Sequence, residues 1–136
     1  MLQFLFIILF LISTSVFSGN NFAGKGLICA YGKNKDIYEA YLFFNKKYIS
    51  KFLYLENYKF SIKQNEKRSY SITKDFINLI PFKIHKKNLL VIDTEFNKII
   101  GSCKIVSNHN KTMEMMYQLK NMYQNEIDKK IGIVSI

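Results

Sequence analysis

Through most of the chain, hydrophobic and polar residues alternate with a period of two, the mark of strands covered on one face. Residues 26–31 place Leu27, Cys29 and Tyr31 on one side. Residues 38–44 set Ala40, Leu42 and Phe44 against Glu39, Tyr41 and Phe43. Residues 48–55 carry aromatics on one face (Tyr48, Phe52, Tyr54) and aliphatics on the other (Ile49, Leu53, Leu55). The cleanest run is 58–63, where Tyr58, Phe60 and Ile62 oppose Lys59, Ser61 and Lys63. Residues 69–73 alternate again through Tyr70 and Ile72. A further strand is predicted from about Phe76, interrupted at Pro81, which pushes Ile80 into an extended shape and confines the strand to an edge. Residues 89–92 are continuously apolar, and 98–106 put Ile99, Gly101, Cys103 and Ile105 on one face. Clusters of Asn, Lys, Gly and Asp separate these stretches and read as turns.

The period changes after residue 112. Met116, Leu119, Tyr123 and Ile127 recur at three and four, widened by Met113 and Met122, which predicts one helix over 112–130. Asn110 or Thr112 suits its cap, Glu114 its first turn and Lys129 and Lys130 its last. The predicted fold is therefore mainly β: a small antiparallel meander or barrel of seven or eight strands, closed or nearly closed, with one C-terminal α-helix. Short strands with short turns favour hairpins over crossovers.

The first eighteen residues follow another pattern. Leu2 to Ile12 is almost unbroken hydrocarbon, and small and polar residues follow up to Ser18. That order reads as a secretory signal cut after Ser18. The apolar run falls short of the roughly 20 residues that a spanning helix needs. Residues 1–18 are thus expected to be a signal peptide and 19–136 one small domain with no stable membrane span, exported to the periplasm or the extracellular space. In that setting Cys29 and Cys103 are expected to form a disulfide between the first and last strands, since both fall on the apolar parity.

Composition alters this picture little. The net charge is +10, but nineteen of the twenty basic residues are Lys and only Arg68 is Arg. Binders that grip phosphate by geometry favour the planar fork of Arg. The excess of Lys, Asn, Ile, Tyr and Phe is that of an AT-rich genome. A nucleic-acid partner is not expected, although Lys interleaved with Tyr can stack single strands. An envelope protein or an anionic surface is the partner class the charge allows.

No catalytic constellation emerges. His85 and His109 lack neighbours at metal-ligand spacing and are placed in exposed turns. Asp93 and Glu95 are two carboxylates on one turn, a spacing open to acid–base work that solvated turn acids also show. Gly24-Lys25-Gly26 lacks the spacing of a phosphate loop, and Asn110-Lys111-Thr112 fits the N-glycosylation pattern. No enzyme, metal or cofactor is expected.

Three stretches carry a resemblance: Gly26-Leu27-Ile28-Cys29, Val91-Ile92-Asp93 with Glu95, and Gly101-Ser102-Cys103-Lys104. They resemble small exported bacterial proteins of unassigned function in which a first-strand and a last-strand Cys frame a β-meander. The same frame is similar to the small-barrel lysozyme inhibitors of bacterial envelopes, whose terminal cysteines pair. The strand series with its helix also looks like a short lipocalin, without that family's Gly-x-Trp since the chain has no Trp. The resemblance implies a non-catalytic envelope module, with a carrier of an apolar ligand in the barrel or an inhibitor of a secreted enzyme as alternatives. The export reading has a direct check: Edman degradation of the protein isolated from its source should begin Gly19-Asn20-Asn21.

Overall fold

The structure is a computed structural model that describes residues 22–32 and 37–132. The expected leader, residues 1–18, lies outside the described residues. Ten strands form one antiparallel sheet: β1 Gly26–Tyr31, β2 Ile37–Phe43, β3 Lys47–Glu56, β4 Lys59–Gln64, β5 Arg68–Ser69, β6 Ser71–Ile72, β7 Phe76–Asn78, β8 Phe82–His85, β9 Leu90–Asp93 and β10 Lys98–Val106. Among the described residues one helix, α1 His109–Gly132, follows. The sheet is open and curls into a half-barrel.

Its strand order is β4-β3-β2-β1-β10-β9-β8-β7-β6. Two hairpin meanders, β1–β4 and β6–β10, therefore lie side by side and are joined by the pairing of β1 with β10. That pairing is antiparallel from Gly26 opposite Val106 to Tyr31 opposite Gly101. Cys29 faces Cys103 in this register, with Cα atoms 3.9 Å apart, and the two form the disulfide that the parity predicts. At the far side of the curl the stretch from Arg68 to Ile72 touches both meanders. Its first two residues pair with β3 and its last two with β7. Tyr70, between them, donates its N–H to the Lys46 carbonyl, and its hydroxyl lies 3.0 Å from the Phe44 carbonyl oxygen.

The alternation sorts side chains between two cores. Leu27, Cys29, Tyr41, Phe43, Tyr48, Ile77, Ile84 and Val91 fill the concave side. Phe22 closes this cluster against the Phe43 ring, 5.8 Å between centroids. The opposite parity packs Ile28, Ala40 and Val106 against Met116 of α1, with Met113, Met115 and Leu119 around them. Tyr123 of α1 rests between Tyr38 and Phe60, 5.9 Å from each. Gly26 seats the helix, because a Cβ there would run into the Thr112 side chain.

Four sequence expectations need correction. The strands number ten because the stretch around Tyr70 splits to pair in two directions. Residues 76–85 form a hairpin, β7 against β8, because Ile80 turns the chain at φ +35° instead of taking an extended shape. In β10 the register shifts between Ile99 and Gly101. This bulge sends Ile100 into the concave core and leaves Ile99 65% exposed, since one extra residue reverses the parity. The helix starts at His109, earlier than expected, because its cap is Asn108 and neither Asn110 nor Thr112. The Asn108 side chain accepts from the Lys111 N–H at 2.8 Å, while the Thr112 hydroxyl donates to the Asn108 carbonyl at 2.7 Å.

One free edge of the sheet is partly closed by the helix. Gln124 accepts the Phe60 N–H at 2.7 Å through Oε1 and donates to the Tyr58 carbonyl at 3.0 Å through Nε2. It thereby occupies one outward donor and one outward acceptor where β4 begins. Among the described residues no helix is long and apolar enough to cross a membrane.

The disulfide closes a loop between residues 74 positions apart. The Cys29→Ala/Cys103→Ala double variant should lose about 4 kcal/mol of unfolding free energy in the chain-entropy picture. Urea melts of the oxidised parent and the double variant measure it, and equal midpoints would contradict it.

Candidate functional site

At the end of the curl where β1 finishes and β2 and β8 begin, the concave side changes from hydrocarbon to polar groups. The inward parity of β2 runs Ile37, Glu39, Tyr41, Phe43, so a carboxylate sits among aromatics. Tyr31 of β1, opposite Ile37, brings its hydroxyl 2.5 Å from that of Tyr41. Tyr41 donates to Glu39 Oε1 at 3.0 Å. A phenol has one proton, so Tyr31 is the donor in the first of these bonds and the relay runs Tyr31 to Tyr41 to Glu39.

A small cavity of about 170 Å³ opens beside this relay. Glu39, Tyr41 and Tyr48 form one wall, and Ser50, Asn65 and Arg68 line it further round. Tyr48 donates to the Leu79 carbonyl at 2.9 Å, which ties β3 to the turn ahead of β8. Asn65 Nδ2 donates to Ser50 Oγ at 2.6 Å. Arg68 reaches this place because β5 pairs with the start of β3, opposite Tyr48. It has no carboxylate within ion-pair distance, and the one ion pair among the described residues is the exposed Lys63–Glu56 contact at 4.0 Å. A second, larger groove of about 800 Å³ adjoins the cavity and shares Glu39 and Phe82 with it. Its walls are mainly apolar, including Tyr31, Ile37, Leu90, Ile99 and Ile100.

The phenols here are held protonated. Burial pushes Tyr31 and Tyr41 far above the ordinary value of 10.0. For Tyr31 the bond to Tyr41 works partly against this, and the charge of Glu39 adds to it. Tyr48 is raised by burial, with the Arg68 charge opposing.

The residues considered for chemistry lie elsewhere. His85 ends β8 with its ring 5.1 Å from Phe76, and its Nδ1 accepts the Lys87 N–H at 3.1 Å. His109 is half-buried at the start of α1, not in an exposed turn. Its Nε2 lies 2.8 Å from the Phe43 carbonyl, so that nitrogen carries the proton, and its ring meets Phe44 at 4.8 Å. Asp93 accepts the Glu95 N–H at 2.9 Å, which makes it the organiser of its own turn. Gly24 supplies a positive φ of 84° for the turn before β1. Thr112 of the glycosylation pattern lies on α1 and is fully buried against Gly26 of β1. Among the described residues no three His, Cys, Asp or Glu side chains converge as a metal site, and no cysteine is free.

The relay and cavity were missed by reasoning along the sequence. The signal was present in Glu39, a carboxylate on the same parity as Tyr41 and Phe43, and in Arg68 as the single guanidinium of a Lys-rich chain. No family model matches the chain, and no curated protein and no solved structure matches it.

The raised phenols give a pH prediction. Their folded pKa values exceed the unfolded value of 10.0, so the stability they contribute is intact below that pH and is lost as the pH climbs above it. Unfolding free energy followed from pH 8 upward by urea titration should therefore decline once about pH 10 is passed. Phenylalanine at both positions 31 and 41 should flatten that decline.

Proposed function

We propose that this protein is an exported, non-catalytic interaction module of the cell envelope that engages its partner through the open end of the half-barrel. The observation that supports this reading is the contrast between the two regions of the concave side. Its middle is filled by Phe43, Leu27, Ile77, Ile84 and Val91, all fully buried. That filling weighs against the carrier alternative, in which the middle of the curl would hold the ligand. The end, in contrast, presents an apolar groove with Ile37 and Ile99 more than half exposed at its rim. Such exposed apolar positions around a concave surface mark contact sites more often than isolated surface residues do. The disulfide suits an oxidising compartment. The polar groups at the groove serve binding in this reading, with the phenols and Glu39 held in a chain of hydrogen bonds.

Immobilised protein should capture a discrete envelope partner from extract, resolved by native mass spectrometry. The Ile37→Lys/Ile99→Lys variant, which alters exposed positions without touching either core, should lose that capture by tenfold or more. Undiminished capture by the variant would rule out this end of the half-barrel as the docking face.

A further inference from the structure

The cavity beside the tyrosine relay holds two opposite charges that do not meet each other. Glu39 and Arg68 both line it, yet no ion pair joins them. Glu39 is half-buried and Arg68 stands exposed at the rim, so a group that enters between them can pair with both. Glu39 spends one oxygen on Tyr41, and a carboxylate can accept about four hydrogen bonds. The Arg68 guanidinium makes no hydrogen bond among the described residues, so its planar fork is free for a carboxylate. The space of about 170 Å³ is roughly ten times what one water requires. The neighbouring groove, walled by Ile37, Phe82 and Ile100, begins where the cavity ends.

We propose that this cavity is a binding site for a zwitterion, specifically an α-amino acid with an apolar side chain. Its ammonium group pairs with Glu39, its carboxylate with Arg68, and its side chain lies in the groove against Ile37 and Phe82. The Tyr41 hydroxyl fixes the Glu39 carboxylate in place for the ammonium group, and Tyr31 in turn fixes Tyr41. The choice of ligand follows from the walls. An anion alone leaves Glu39 unmatched, an amine alone leaves Arg68 unmatched, and a neutral apolar molecule leaves both. The chain's other basic residues are all Lys, so the one fork-shaped donor, suited to a planar carboxylate, stands at this cavity. This inference rests on the open end of the half-barrel being where the protein binds, and it names the chemistry of what is bound there.

Calorimetric titration of the purified protein with L-leucine and L-phenylalanine tests it, alongside leucinamide, which lacks the carboxylate, and N-acetyl-leucine, which lacks the ammonium group. The free amino acids should bind saturably, and blocking either end should weaken binding at least tenfold. Arg68→Gln should bind leucine and leucinamide alike. Glu39→Gln, which retains an acceptor for Tyr41, should bind leucine and N-acetyl-leucine alike. Near-UV circular dichroism reports whether each variant keeps its packed aromatics. Absence of saturable binding by the parent protein up to the solubility limit of leucine, or indifference of the parent to blocked ends, would overturn the proposal. If leucine fails to bind while Ile37→Lys/Ile99→Lys still abolishes partner capture, the zwitterion site alone is lost and the docking face stands.

Discussion

Everything in this fold depends on the pairing of β1 with β10. Apart from the short ladder of β3 with β5, every other ladder joins consecutive strands, so hairpin closure alone can form them. β1 and β10 are separated by the whole of the sheet, and bringing them together has the largest loop-closure cost in the domain. Cys29 and Cys103 stand opposite each other in the middle of that ladder and make the pairing covalent. The two meanders thereby become one surface, and each core draws on both. The helix lies across β1, β2, β4 and β10, so its seat exists only once the meanders have met. The polar end of the curl has the same origin: Tyr31 and Glu39 come from one meander, Phe82 and Ile100 from the other.

Along its length the concave side divides its work. The hydrocarbon in the middle supplies cohesion, and Tyr48 and Tyr70 reinforce it by bonding carbonyls across the curl. Toward the open end the same face carries Tyr31, Tyr41 and Glu39, linked proton by proton. A carboxylate in such a place is costly unless hydrogen-bonded, and Tyr41 meets that need. The phenols are kept neutral by the same burial that gives the end its shape. Packing and recognition therefore share one face, the first ending where the second begins.

Much of this was legible in the residues themselves. Leu27, Cys29 and Tyr31 fall inward as their alternation requires, and the cysteine parity located the staple. The spacing of Met116, Leu119 and Tyr123 gave the helix and its buried stripe. What escaped were features in which one residue changes the local rule. The extra residue at Ile100 inverts the parity of the start of β10, so Ile99 was placed inside. Pro81 reads as an interrupter of one strand, but the positive φ of Ile80 ahead of it turns the chain back so that β8 pairs with β7. Asn108 lies just outside the periodic stretch, so the hydrophobic spacing gives no sign of this cap. The cavity at the open end was hidden for a different reason. Glu39 and Arg68 are 29 positions apart, and only the return of β5 to the start of β3 brings them to one place.

Gln124 has a consequence that reaches beyond the single molecule. An open sheet has two rims, and a bare rim is a template on which further copies can stack without limit. Here one rim, β4, has its opening donor and acceptor already taken by an amide from the helix, so an arriving chain must first displace that amide. The other rim, β6, is two residues long and offers almost nothing to copy. A further copy is thus hindered where β4 begins and is offered little at β6, so the ladder can end at both rims without the barrel completing its circle.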